Sequence, residues 1–204
     1  MNLKALSRGA WAVSGVDASE AALKLARRRG AFPLRRAFLE ALPFPSASFD
    51  LIYSMDVVYM LTRPRLDAAF SGFHRILKPG GRLLLHSATL GWLRSTHDEA
   101  VATVERYGKA YLEERLAFHG FKLERSTYRM FLLFPLVALG KLLQKRRVGL
   151  GPEEGAKGDV EKTHPLLNAL LFPVLRLENF LLRFMNLPIG SSVFLVAKKG
   201  RSRI

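Results

Sequence analysis

Three short clusters carry the side chains best able to do chemistry. Asp17 follows the apolar run Trp11–Val16, Ser54–Asp56 closes the run that begins at Phe49, and His86–Thr89 closes the run that begins at Arg82. A carboxylate at the end of a strand can accept hydrogen bonds from two ribose hydroxyls, as in dinucleotide folds, or it can cap the next helix. Asp56 can orient a substrate or cap a turn, and capping is the slightly favoured reading. His86 can deprotonate a hydroxyl or bind an acidic substrate. A buried histidine satisfied by hydrogen bonds is the weightier alternative. His97, His119 and His164 have no metal-site spacing, and the absence of cysteine excludes disulfides and thiolate metal sites. Lys78-Pro79-Gly80-Gly81 precedes a strand rather than a helix, so it predicts a turn and not a phosphate cradle.

The elements that must position these groups alternate along the chain. Trp11–Val16, Phe49–Ser54 and Arg82–Ser87 read as buried strands, and Pro33–Phe38 as a short one. Helices are predicted over Glu20–Arg29, capped by Ser19, and over Arg65–Leu77. A helical pattern runs from Asp98 to Phe118 with a break at Gly108, and another covers Leu166–Met185. Ala41–Ser48 and the Gly- and charge-rich stretch Val148–Lys162 read as loops, the latter as a mobile one. Phe121–Tyr128 and Ser192–Lys198 complete the strands. Strands alternating with helices predict βαβ units and a mostly parallel α/β sheet, whose ligands bind beyond the carboxyl ends of the strands.

Composition bounds the classes. The 204 residues are 49% hydrophobic, enough for one core-bearing domain with a lid, and no disordered chain has this balance. The net charge of +15 favours nucleic acid, an anionic membrane leaflet or an acidic small molecule, or simply an arginine-rich solvated surface. Met130–Leu143 and Leu166–Met185 are the greasiest stretches, but Pro, Gly and charges interrupt both. Neither supplies the roughly 20 apolar residues of a spanning helix. No signal peptide is read at the start, and a cytoplasmic location is the default expectation.

Five phrases in fixed order carry a family resemblance: GVDAS (Gly15–Ser19), LPFPSASFDLIYSMDVVYML (Leu42–Leu61), HRILKPGGRLLL (His74–Leu85), HGFKLERSTY (His119–Tyr128) and LPIGSSVFLVAKK (Leu187–Lys199). Together they resemble the class I S-adenosylmethionine (SAM) dependent methyltransferases, of the small-molecule type. The resemblance implies a Rossmann-like sheet, SAM as cofactor and a small-molecule acceptor. It implies cofactor contacts from Asp17, Gly15 and Ala18, from Phe38 and Leu39, and from Ser54 and Met55. His86 and Tyr59 are the candidate substrate residues, and no catalytic residue is named. Phe38 departs from the pattern: it stands where the family often has an acid near the adenine amino group, and it can stack but not accept a hydrogen bond.

Against that family, only fourteen residues precede GVDAS, and they read as the last turns of the first helix plus the second strand, without a first strand and glycine-rich loop. The expectation is therefore a sheet lacking its first strand and glycine loop, with activity in doubt. A fragment with its true start upstream is favoured over a degenerate paralogue or a strand supplied by a partner chain. The organisation expected is a partial core over 1–130, a helical insertion over 131–186, and a final strand with a basic tail over 187–204. The Leu-rich insertion reads first as a lid or a homodimer face buried against protein, with peripheral contact to an anionic membrane as the rival. A non-catalytic remnant that binds a membrane or a protein is the alternative function. A nucleic-acid methyltransferase ranks last, since neither an RNA-binding module nor a base-amine motif is visible.

Overall fold

The computed structural model describes residues 11–30, 32–89, 104–135 and 165–200. The order is β1 (Gly15–Asp17), α1 (Glu20–Arg27), β2 (Leu34–Arg36), β3 (Phe49–Met55), α2 (Arg63–Ile76), β4 (Leu77–Ala88), α3 (Lys109–Phe118), β5 (Phe121–Arg129), α4 (Pro165–Leu181) and β6 (Ser192–Lys199). Two 3-10 turns, Leu39–Ala41 and Val58–Met60, were not foreseen.

The strands form two sheets. β1 pairs only with β2, in parallel, through three residue pairs. The second sheet has the order β3-β4-β6-β5, with β3 and β4 parallel and β6 antiparallel to both β4 and β5. Among the described residues no strand lies between β1 and β3. The predicted helix end that precedes β1 falls in residues 1–10, outside the described residues.

In-register partners share a sheet face. Ile52, Leu83 and Ala197 therefore lie on one face, together with Ser54, Leu85 and Leu195. That face is covered by α2, whose Leu66, Ala69, Phe70, Phe73 and Ile76 are all buried at helical spacing. Leu112 and Leu116 of α3 complete the same core. The opposite face carries Tyr53, Met55, Leu84, His86, Phe194 and Val196.

Several expectations shift in detail. Trp11–Ser14 is not strand: the ladder needs a partner, and β2 offers only three residues. Helix α1 stops at Arg27, with the Ser19 hydroxyl accepting from the Ala22 N–H at 3.3 Å as expected of a cap. Lys78–Gly81 lies within the extended β4 rather than ending an element. It still behaves as an excursion, since Phe49 pairs with Leu77 and Leu51 already with Arg82, and Gly80 has φ +79°. Helix α3 begins only at Lys109. Residues 104–108 are irregular, and the earlier part of that predicted helix lies outside the described residues, as does the loop Val148–Lys162.

Candidate active site

A cleft of about 310 Å³ lies between the two sheets. Trp11–Val16 forms one wall, Phe49 and Leu51–Met55 the other, and Leu39, Leu42, Phe73 and Ile76 close it below. Gly15, Leu39, Ser54 and Met55, expected from the sequence, thus meet in one cavity. Asp17, Ala18 and Phe38 do not line it. Asp17 and Ala18 stand at its rim, at the carboxyl end of β1, where both are exposed. Phe38 is 53% exposed, with the Arg65 guanidinium 5.9 Å from its ring centre.

The polar groups around this cleft suit a nucleoside ligand. Asp17 Oδ1 accepts the Ser19 N–H at 2.8 Å just ahead of the helix, whose cap is Ser19 and not Asp17, and the Asp17 side chain is exposed. The Ser54 hydroxyl is buried and has no hydrogen-bond partner among the described residues. An unpaired buried hydroxyl is costly, and a polar ligand in the cleft would satisfy it. The remaining walls are largely apolar, as an adenine ring requires.

His86 and Tyr59 lie outside the cleft and are not brought together with it. His86 sits on the sheet face opposite α2. Its Nδ1 is 3.1 Å from Asp56 Oδ1, and its Nε2 is 3.0 Å from Ser192 Oγ. Both ring nitrogens are engaged, in keeping with the satisfied-histidine reading. Yet the Asp56 side chain is 48% exposed, and its backbone is held at φ +54° with its N–H donating to the His86 carbonyl at 3.0 Å. Left-handed backbone at a non-glycine residue stores strain, and such strain concentrates at functional sites. Tyr59 contributes its backbone: its carbonyl accepts the N–H groups of Val104 and Glu105, both at 3.0 Å.

Sequence reasoning missed Ser192 and Tyr53. Ser192 opposes Ala88 across the antiparallel β4–β6 pair, and only that register reveals it as the neighbour of His86. Tyr53 shares the face of His86. Burial raises its phenol above the ordinary value, with the Arg129 charge opposing and the Asp56 charge adding. Among the described residues no group of acids and histidines could hold a metal ion.

A parallel strand pair with an acid at the first strand's end, beside a mixed sheet, resembles the Rossmann-like sheet of class I SAM-dependent methyltransferases, except that in those a further strand stands where the cleft separates β1 from β3 here. The chain shares that fold with solved methyltransferase structures, and its first 85 residues also resemble methyltransferases in sequence. Residues 1–85 match the family described as a methyltransferase domain. A protein of Encephalitozoon cuniculi described as a methyltransferase is 40% identical over 73 residues, covering 35% of each chain. An uncharacterized methyltransferase of Synechocystis is 35% identical over 77 residues, 37% of this chain and 36% of that one. These matches span about a third of the length of the curated relatives. Among solved structures, the geranyl diphosphate C-methyltransferase of Streptomyces coelicolor aligns with a TM-score of 0.62 at 14% identity, over 97% of this chain and 67% of that one. It was solved with Mg2+, geranyl diphosphate and S-adenosylhomocysteine, and at this identity the likeness speaks for the fold alone.

Proposed function

We propose that this chain binds SAM in the cleft between β1 and β3 and methylates a small-molecule acceptor at the carboxyl ends of β3 and β4. The observation that carries this reading is the pairing of an orphaned, buried Ser54 hydroxyl with Gly15 across one cleft, beside the exposed Asp17. All three lie within the segment that matches the methyltransferase family. Asp17 would accept the ribose hydroxyls, Ala18 would border the adenosine, and Leu39 with Phe38 would flank the adenine. Ser54 and Met55 would line the methionyl end. SAM, when bound, supplies an electrophilic methyl group.

The chain's own part is positioning. Methyl transfer from a sulfonium needs an aligned nucleophile in a dry pocket more than a strong acid or base. Asp56 holds the His86 ring at Nδ1 and Ser192 holds it at Nε2, so an acceptor that displaces the Ser192 hydroxyl would meet an already oriented imidazole. Tyr59 borders the same end of β3 from the turn that follows it.

Calorimetric titration of SAM into the folded chain tests the reading. Binding is expected, and Asp17→Ala should weaken it about tenfold or more, since hydrogen bonds to a charged group are worth about 1.5–3 kcal/mol each. A folded chain that takes up no SAM, or an Asp17→Ala variant that binds as well as the parent, would overturn it.

A further inference from the structure

Helix α4 is built inside out. Its single carboxylate, Glu178, is 1% exposed and turned toward the sheet. Glu178 Oε1 accepts the Met130 N–H at 2.7 Å and Oε2 accepts the Leu132 N–H at 3.2 Å. Beside it Asn179 accepts from Arg129 at 2.8 Å. Arg125 donates to the Leu182 carbonyl, and to the Met185 carbonyl at 3.2 Å, closing the helix end. The helix is therefore docked through polar contacts.

Its outer face is aromatic. Phe172, Phe180 and Phe184 recur at spacings of eight and four, on one line of the helix and the turn that continues it, and are 59%, 55% and 75% exposed. Leu177 at 52% and Met185 at 52% widen the strip. The cations of the strip are Arg176, whose guanidinium lies 5.9 Å from the Phe172 ring, and Arg183, and both are exposed. Phenylalanines exposed in a row while the acid of the same helix is buried is the reverse of a water-facing helix.

We infer that this face docks on an anionic phospholipid surface, lying in its interface rather than crossing it. Among the described residues no helix is long and apolar enough to span a membrane. Aromatic side chains set beside arginines, with no exposed acid among them, fit the boundary between acyl chains and anionic headgroups. Charge chooses this occupant over a second copy. Pairing two such faces would bring Arg176 and Arg183 of two chains together, each chain carrying a net +15. Docking would place Arg129, and through β6 the Ser192–His86 pair, just behind the lipid surface.

The test is co-sedimentation of the full chain with vesicles of phosphatidylcholine alone and of phosphatidylcholine with phosphatidylglycerol. The comparison includes the double variants Phe180→Ser/Phe184→Ser and Arg176→Glu/Arg183→Glu. Both change exposed side chains, and circular dichroism checks that they fold. Binding to the anionic vesicles only is expected, weakened about tenfold or more by either variant and by raising salt. Absence of binding to anionic vesicles, equal binding to neutral ones, or binding that ignores both variants would each overturn the inference. A dimer in sedimentation, lost in Phe180→Ser/Phe184→Ser and indifferent to vesicles, would assign the face to a second copy instead. SAM titration of the same samples reads the cofactor proposal separately, since docking requires no cofactor.

Discussion

Replacing Glu178 by alanine should release α4 from the sheet, and the cost can be worked out from its contacts. Both carboxylate oxygens accept backbone N–H groups, at 2.7 Å from Met130 and 3.2 Å from Leu132. Hydrogen bonds to a charged group are worth about 1.5–3 kcal/mol each. Assigning the upper figure to the shorter bond and the lower to the longer gives about 4.5 kcal/mol. A buried methylene adds about 0.8 kcal/mol, while water entering the space returns part of the total. The expected loss is about 3–5 kcal/mol, a large share of the ~5–15 kcal/mol that holds a domain. Met130 makes the site more sensitive, because its φ of +62° is strained and its N–H is the better-held partner. Glu178→Gln keeps the shape and one acceptor but turns an amide NH2 toward the other backbone N–H, so about half the loss should remain. Urea unfolding followed by circular dichroism gives the free energies, and amide exchange at Met130 and Leu132 reports local release. A loss below about 1 kcal/mol for Glu178→Ala, with those two amides still protected, would refute the claim that this carboxylate holds the helix.

Two further effects follow from groups in the core. Burial, with Lys199 and His119 adding, holds the His74 imidazole below its ordinary value of 6.5. The unfolded chain then binds the extra proton first, so stability is complete above about pH 6.5 and falls as pH drops below it; His74→Phe should flatten melting temperature between about pH 7 and pH 5. Tyr107 is buried, its phenol is pushed up to about 12 chiefly by burial, and it donates to the Leu61 carbonyl at 2.6 Å. Tyr107→Phe should cost about 1–2 kcal/mol in urea unfolding, through the lost bond and the carbonyl left behind.

The sequence made the strands plain, but not their burial. FDLIYS and RLLLHS are apolar runs that both form strands, yet one face of β4 is only half-buried and in β3 Ser54 alone is fully buried. The limits of β1 were not legible, because Trp11–Ser14 has strand composition but no neighbour to complete a ladder. Asp17, Ser54 and Met55 stand out because they lie at strand ends, and Gly15 by resemblance; Gly15, Ser54 and Met55 line one cleft, and Asp17 does not. Ser192 does not stand out, because its closeness to His86 depends on the register of two strands more than a hundred residues apart. Helix α4 shows a different limit. Its Leu- and Phe-rich composition favoured burial against protein, and hydrophobicity alone does not say which side of a helix turns inward. The buried carboxylate decides that, and Glu178 looked from the sequence like an interruption of an apolar stretch.

The division of the strands into a pair and a quartet has a consequence for how the molecule responds to its ligand. Three residue pairs join β1 to β2, and a two-stranded unit of that size is marginal by itself. The cleft is the seam between the two units. A molecule seated there touches β1 on one side and β3 on the other, and so acts as a structural member that ties the smaller unit to the larger. Occupancy of the seam and order of the β1–β2 unit then rise and fall together, which couples ligand concentration directly to stability.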